Sequence, residues 1–337
     1  MDSTNRVILD RVQRSFPIVS HPYRALAQGL DISEGETLER LGSLKNDGVI
    51  RQISAIFNTG ALGYRSSLVA MAVPPEELER VASIVNSYPG VSHNYLRPGD
   101  FNMWFTIAAP PGQSLDGVVD GLAARAGGLP ALVLPALKKY KLAVVLDVLG
   151  EGDWDPAEEK PVLAPTEIRV CFVPTPDNIA IVKCIQEDLP LVQRPFAVWA
   201  DSLKMSESEL LDIVSAWMGQ GVIRRFAAVL NHRQVGFRAN GMVVWNCPEE
   251  RMDDIGAILA TYPEVSHCYS RPACPPQWPY NLYAMIHTRS AEQCEQVANR
   301  LAGATGLGNF RILFSTKEYK KIRLKLFWNE RCQPTGC

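Results

Sequence analysis

Two short phrases of the chain place the same three reactive side chain types in the same register. "SHNYLRP" occupies residues 92–98 and "SHCYSRP" occupies residues 266–272. Each sets a histidine, a tyrosine and an arginine at i, i+2 and i+4: His93, Tyr95 and Arg97 in one, His267, Tyr269 and Arg271 in the other. Alternate residues of a strand share a face, so each trio is predicted to line one side of a sheet. Such a row is costly to bury without a partner, and an anionic ligand would supply one. Arginine holds carboxylates through paired hydrogen bonds and keeps its charge. Histidine exchanges a proton near neutral pH. The pattern points to a polycarboxylate ligand with acid–base work by histidine. Each residue also has a plainer reading: a hydrogen-bonded sheet histidine, a half-buried tyrosine, an arginine in solvent or in an interdomain ion pair.

More cations stand on neighbouring segments. "GVIRRFAAVLNHRQVGFRANGMVVW" (residues 221–245) carries Arg224, Arg225, His232, Arg233 and Arg238. A parallel phrase, "GVIRQISAIFNTGALGYRSSLVAMAV" (residues 48–73), carries Arg51 and Arg65 but no histidine, because Asn58–Thr59 stands where the other copy has Asn231–His232. Shared ancestry explains what the copies have in common. It does not explain His232, which is expected where one half carries the site and the other supports it. The apolar companions Phe226, Met242, Trp245 and Trp278 are expected to face a large flat ring.

These segments belong to a duplication. "GVIRQ" at Gly48 and "GVIRR" at Gly221 are 173 residues apart, and "YPGVSHNYLRP" answers "YPEVSHCYSRP" after a one-residue shift. That period is far too long for a solenoid. Each copy reads as helix, turn, helix and strand pair, the pattern of a winged helix-turn-helix. Ser33 with Glu36 and Ser206 with Glu209 are predicted capping boxes, and Gly48 and Gly221 helix stops. A strand–helix–strand–strand–helix–strand order follows; in the first copy strands are predicted over residues 64–73, 91–97, 102–108 and 137–146 and helices over 75–87 and 114–126. The predicted class is α+β: a duplicated unit of winged helix-turn-helix plus ferredoxin-like βαββαβ domain. The expected boundaries are winged-helix domain 1 at 1–61, ferredoxin-like domain 1 at 62–149, an acidic proline-rich linker at 150–166, winged-helix domain 2 at 167–234, ferredoxin-like domain 2 at 235–330 and a tail at 331–337.

The 337 residues carry a net charge of −2, which gives no general attraction to nucleic acid or to an anionic membrane. No apolar run approaches the roughly 20 residues that cross a bilayer, and the N-terminus lacks a signal-peptide core, so a cytoplasmic protein is expected. The eight cysteines include no CxxC pair, so no metal site is expected. A winged helix before a ferredoxin-like domain resembles the Lrp/AsnC transcription regulators, whose second helix reads DNA. Here the stretch 34–47 has four acids against Arg40 and Lys45, and 206–219 has Glu207, Glu209 and Asp212 with no base. Phosphate contact requires the opposite balance, so nucleic acid is not an expected partner.

At residues 221–245 with 262–272, and 48–71 with 88–98, the chain resembles the two subunit types of the siroheme decarboxylase family. The resemblance covers nearly all of residues 16–327. It implies an Lrp/AsnC-like scaffold that does not act on DNA, in a fused form: an internal pseudo-heterodimer, compatible with a further homodimer. The implied reaction is a carboxy-lyase step, loss of carbon dioxide from the C12 and C18 acetates of siroheme to give 12,18-didecarboxysiroheme. The product leads toward heme d1, which the fused form favours, or toward heme; other heme d1 pathway enzymes are then expected partners. No cofactor is implied beyond the iron of the siroheme substrate. Within this reading Arg225, Arg238 and Arg271 grip carboxylates, with Arg224, Tyr269, Trp278, His93, Arg97 and Arg51 as further binding residues. His232 or His267 protonates the methylene carbon, or ligates the iron. The alternative is a tetrapyrrole or small-ligand sensor, or a transcription regulator, on the same scaffold.

Overall fold

Capping serines, helix-stopping glycines and alternating apolar residues recur in the same order in both halves, and they build the same elements twice. The computed structural model describes residues 1–142, 172–231 and 239–329. The first half runs α1 (Ser3–Arg14), α2 (Pro22–Ala27), α3 (Glu34–Asn46), β1 (Ile50–Phe57), β2 (Arg65–Met71), α4 (Leu78–Asn86), β3 (Val91–Leu96), β4 (Met103–Ala109), α5 (Leu115–Arg125), β5 (Ala131–Leu134) and β6 (Lys138–Leu142). The second runs α6 (Pro176–Ile185), α7 (Pro195–Ser202), α8 (Glu207–Gly219), β7 (Ile223–Leu230), β8 (Ala239–Trp245), α9 (Met252–Thr261), β9 (Val265–Ser270), β10 (Leu282–Thr288), α10 (Ala291–Thr305), β11 (Phe310–Phe314) and β12 (Lys317–Lys321). The expected linker and tail, and His232, Arg233 and Arg238, lie outside the described residues.

The capping box predicted at Ser206 and Glu209 forms with both of its bonds. The one at Ser33 is half made. Its hydroxyl accepts from the Glu36 amide, but the Glu36 carboxylate turns to Arg40, 2.8 Å away. The two winged-helix units share one core, in which Ile8, Leu41, Phe16, Phe196 and Phe226 are sealed from solvent. Their wing strands β1 and β7 pair antiparallel, so a single ribbon belongs to both halves.

Each half also builds a sheet with its helices on one face. The strand orders are β12-β3-β4-β2-β5 and β11-β8-β10-β9-β6. Four strands of each sheet are the ferredoxin-like set. The fifth corrects the expected topology: the strand foreseen over residues 137–146 does not close the first domain. That place is taken by β5, paired with β2, while β6 crosses to β9 in the second sheet. In return β12 crosses from the second half to β3 in the first. Each sheet thus has an edge strand supplied by the other half. The crossing strands are held the same way. Tyr140 donates to Asp253 on α9 at 2.7 Å, and Lys317 pairs with Glu79 on α4. Tyr140 also lies over Gly256, where a Cβ would come within 2.6 Å of the ring.

The faces turned away from the helices meet each other. Ala70, Phe101, Trp104 and Leu134 of the first half pack on Met242, Val244, Trp278 and Tyr283 of the second. Apolar burial of this kind stabilises by roughly 25 cal/mol per Å². It fuses the two sheets into an internal pseudo-dimer.

Candidate functional site

Beside that apolar layer the same two faces become polar. Strand pairing sets His267 opposite Met285 and Tyr269 opposite Tyr283, whose side chains enter the inter-sheet layer. His93 and Tyr95 stand likewise against Thr106 and Trp104. The rings of His267 and Tyr269 are 6.0 Å apart, with the Arg271 guanidinium 5.0 Å from the Tyr269 ring centre. In the first half His93 and Tyr95 are 6.2 Å apart, with Arg97 at 5.6 Å from Tyr95. Each trio therefore shares a face.

The wing supplies two more cations through local irregularity. The β1–β7 register passes from Ile50 to Gln52 and from Ile56–Arg225 to Phe57–Ile223, so Arg51 and Arg224 are each left without a partner in the ladder. A bulge of this kind re-aims the side chain. Both arginines are exposed, and they stand close enough to the histidines to lower their proton affinity: Arg51 acts on His93, and Arg224 on His267. Arg224 also donates to Asn58 at 3.2 Å.

Electrostatics links these groups into one cluster at the inter-sheet face, the candidate cleft. His267 is pushed down to about 3, first by burial and then by His287, His93, Arg271 and Arg224. Burial, Lys321 and Arg51 push His93 to about 4; burial and Lys321 do the same to His287. All three imidazoles keep part of their surface accessible although protein surrounds them, as expected of cleft-lining groups. Burial raises Tyr269 to about 12, so its phenol is neutral. Among the described residues, no ion pair joins Arg51, Arg224, Arg271, Lys139, His93 or His267 to a carboxylate.

The imidazoles are oriented by their own neighbours in sequence. Ser266 Oγ lies 2.9 Å from His267 Nδ1, and Ser92 Oγ lies 2.9 Å from His93 Nδ1. Nε2 is left as the nitrogen that can meet a ligand. Ser266 Oγ can donate to the Met285 carbonyl at 3.3 Å; it then accepts from Nδ1–H, and Nε2 carries a lone pair.

Other expected site residues are placed elsewhere. Trp278, foreseen against a flat ring, is buried in the inter-sheet core, its indole N–H 2.6 Å from Tyr283 Oη and its ring centre 5.0 Å from that of Trp104. Phe226 lies in the winged-helix core and Trp245 between the second sheet and its helices, both without exposure. Met242 joins the inter-sheet core. Burial decides all four: an enclosed side chain has no free face for a ring. Arg225 faces α1, where its guanidinium donates to the Gln13 carbonyl at 3.4 Å. Arg97 donates to the Leu313 carbonyl on β11, and Arg271 to that of Leu134 on β5. These are reciprocal ties across the sheets, so part of each guanidinium is committed to joining the halves. The Nε groups of both are buried without a partner. Two residues the sequence reading passed over, His287 and Lys139, belong to the cleft. Strand alternation on β10 would have identified His287; no local signal could have identified Lys139.

Known proteins have the same parts. The AsnC-like ligand binding domain matches residues 61–141 and 234–320, and the siroheme decarboxylase NirDL-like HTH domain matches residues 5–51 and 178–224. A siroheme decarboxylase of Hydrogenobacter thermophilus is 41% identical over 96% of this chain and 95% of its own length. A siroheme decarboxylase beta subunit of Methanosarcina barkeri is 42% identical over 44% of this chain and 97% of its own. The crystal structure of the siroheme decarboxylase NirDL in complex with an iron-uroporphyrin III analogue superposes with a TM-score of 0.74 and 37% identity, covering 96% of this chain and 95% of that one.

Proposed function

Because this chain belongs to the siroheme decarboxylase family, we propose that it removes carbon dioxide from the C12 and C18 acetates of siroheme, releasing 12,18-didecarboxysiroheme. The observation that carries this reading is the cluster between the sheets, where Arg51, Arg224, Arg271 and Lys139 gather around His93 and His267 with no carboxylate among the described residues paired to them. A macrocycle edged with carboxylates supplies the missing charge.

Loss of carbon dioxide from an acetate leaves an electron pair on the methylene carbon, which the conjugated ring delocalises. One proton delivered to that carbon makes the methyl group and completes the balance. His267 is the best-supported donor. Its imidazole is neutral in the open cleft because burial and surrounding cations oppose protonation. A bound polycarboxylate reverses the sign of that local field, so the proton is taken up with the substrate. The same Nε2 could instead ligate the iron that siroheme brings. His232 is proposed as a second acid on the strength of its presence in one copy alone, and Arg238 as a further carboxylate partner. Heme d1 formation is the proposed use of the product. No helix among the described residues is long and apolar enough to cross a membrane, and we place the enzyme in the cytoplasm.

Anaerobic incubation with siroheme, followed by mass spectrometry, tests the activity. Loss of two carboxyl groups is expected. Tight binding with an unchanged mass would replace the enzyme by a tetrapyrrole sensor.

A further inference from the structure

The two ends of the cleft are related by the duplication, and their registers identify equivalent positions. Tyr269 is flanked by Lys139 on the exchanged strand β6, and Tyr95 by Glu318 on the exchanged strand β12. Directly paired strand residues present their side chains to the same face. Lys139 and Glu318 are therefore counterparts of opposite charge, each turned with its tyrosine toward the inter-sheet face.

Among the described residues, nothing accounts for Lys139. Its flanking residues hold the strand: Lys138 pairs with Asp253 at 2.8 Å, and Tyr140 donates to the same carboxylate. Lys139 itself is exposed, has no carboxylate partner among the described residues, and lies in the field of Arg224 and Arg271. Three like charges brought together without a counter-ion are unfavourable unless an anion joins them. A further cation, Lys321, stands opposite His93 in the strand ladder and lowers the proton affinity of both His93 and His287.

We propose that Lys139 is a carboxylate-binding residue, carried into the second half's end of the cleft by the first half's strand, and that the opposite end, with Glu318 in the equivalent place, lacks this contact. A polycarboxylate ring is then seated in one orientation. This rests on the function proposed above for the identity of the ring, while the charge difference stands on the strand registers.

The test titrates the whole chain with iron-uroporphyrin III, an octacarboxylate, followed by its Soret band. Lys139→Gln is expected to weaken binding about tenfold or more, as for the loss of a charged hydrogen bond, and to flatten the salt dependence of affinity. Lys139→Arg should stay within a few-fold of wild type. Glu318→Lys should bind more tightly than wild type, which gives a gain-of-affinity readout that misfolding cannot mimic. With siroheme, Lys139→Gln should raise KM and leave kcat nearly unchanged. Wild-type affinity in Lys139→Gln, or no gain in Glu318→Lys, overturns the proposal. If wild type binds the ring but leaves siroheme intact, the decarboxylase reading fails and this one stands. If wild type decarboxylates and Lys139→Gln binds equally well, the reverse holds.

Discussion

The two ends of the cleft began as copies and no longer match. Around His267 stand Arg224, Arg271, Lys139 and His287. Around His93 stand Arg51 and Lys321, with Glu318 opposite Tyr95. Where β10 carries His287, two residues beyond the partner of His267, β4 carries Ala108, two residues beyond Thr106. In sequence the two copies differ again at His232 against Thr59. What is common to both ends, the Ser–His–Tyr–Arg face and the bulged wing arginine, maintains the scaffold and a general attraction for anions. On the function proposed above, what differs assigns the acid–base work to the second half. Duplication made a symmetric cradle, and a few substitutions gave it a direction.

The sharpest way to break that contrast is to remove each histidine in turn. His267→Ala should lower kcat on siroheme by about 10²–10⁴-fold, the range for a lost general acid. His93→Ala should cost about tenfold or less, and equal losses would make the ends equivalent. The bulged arginines give the next largest effect. Arg224→Ala should raise KM roughly tenfold and Arg51→Ala roughly threefold, in steady-state assays, since each removes one charge-assisted contact.

Proton linkage sharpens the comparison further. His93, His267 and His287 all have folded-state values below the ordinary 6.5, at about 4, 3 and 4. Between 6.5 and about 4 the unfolded chain therefore binds more protons than the folded one, so stability falls as pH drops through that window. Thermal melts at pH 7 and pH 5 should show the drop, and His287→Ala should reduce it. Ligand binding at pH 6 should take up protons, visible by calorimetry in buffers of different ionisation enthalpy. The smallest effect concerns packing. Gly256→Ala forces Tyr140 off α9 and should lower Tm by several degrees, with little change in kcat.

Much of this molecule was legible in its residues. Repeated phrases gave the duplication, serine caps and glycine stops gave the winged helices, and i, i+2, i+4 spacing gave the shared faces of the His–Tyr–Arg trios. The exchange of β6 and β12 was not legible, because "LKKYKL" has the same local pattern whichever sheet it joins. The short β5, only four residues, has no counterpart among the expected strands, the nearest of which begins at residue 137. The bulges that turn out Arg51 and Arg224 depend on the wing of one half pairing with that of the other, a relation between segments far apart in sequence. Trp278 differs for a simpler reason: an indole expected to face a flat ring can equally fill the space between two sheets, as it does here.

The crossed edges also bear on how the protein is made. The outermost strand of the first sheet, Lys317–Lys321, belongs to the second copy, so that sheet waits with an unfilled border until the second copy's own strands have been translated. The second sheet emerges to find its outer strand, Lys138–Leu142, already synthesised. An open border invites pairing with the wrong chain. Nascent molecules on one polysome are therefore most vulnerable to mutual entanglement at His93's strand, until the second copy's last strand arrives to close it.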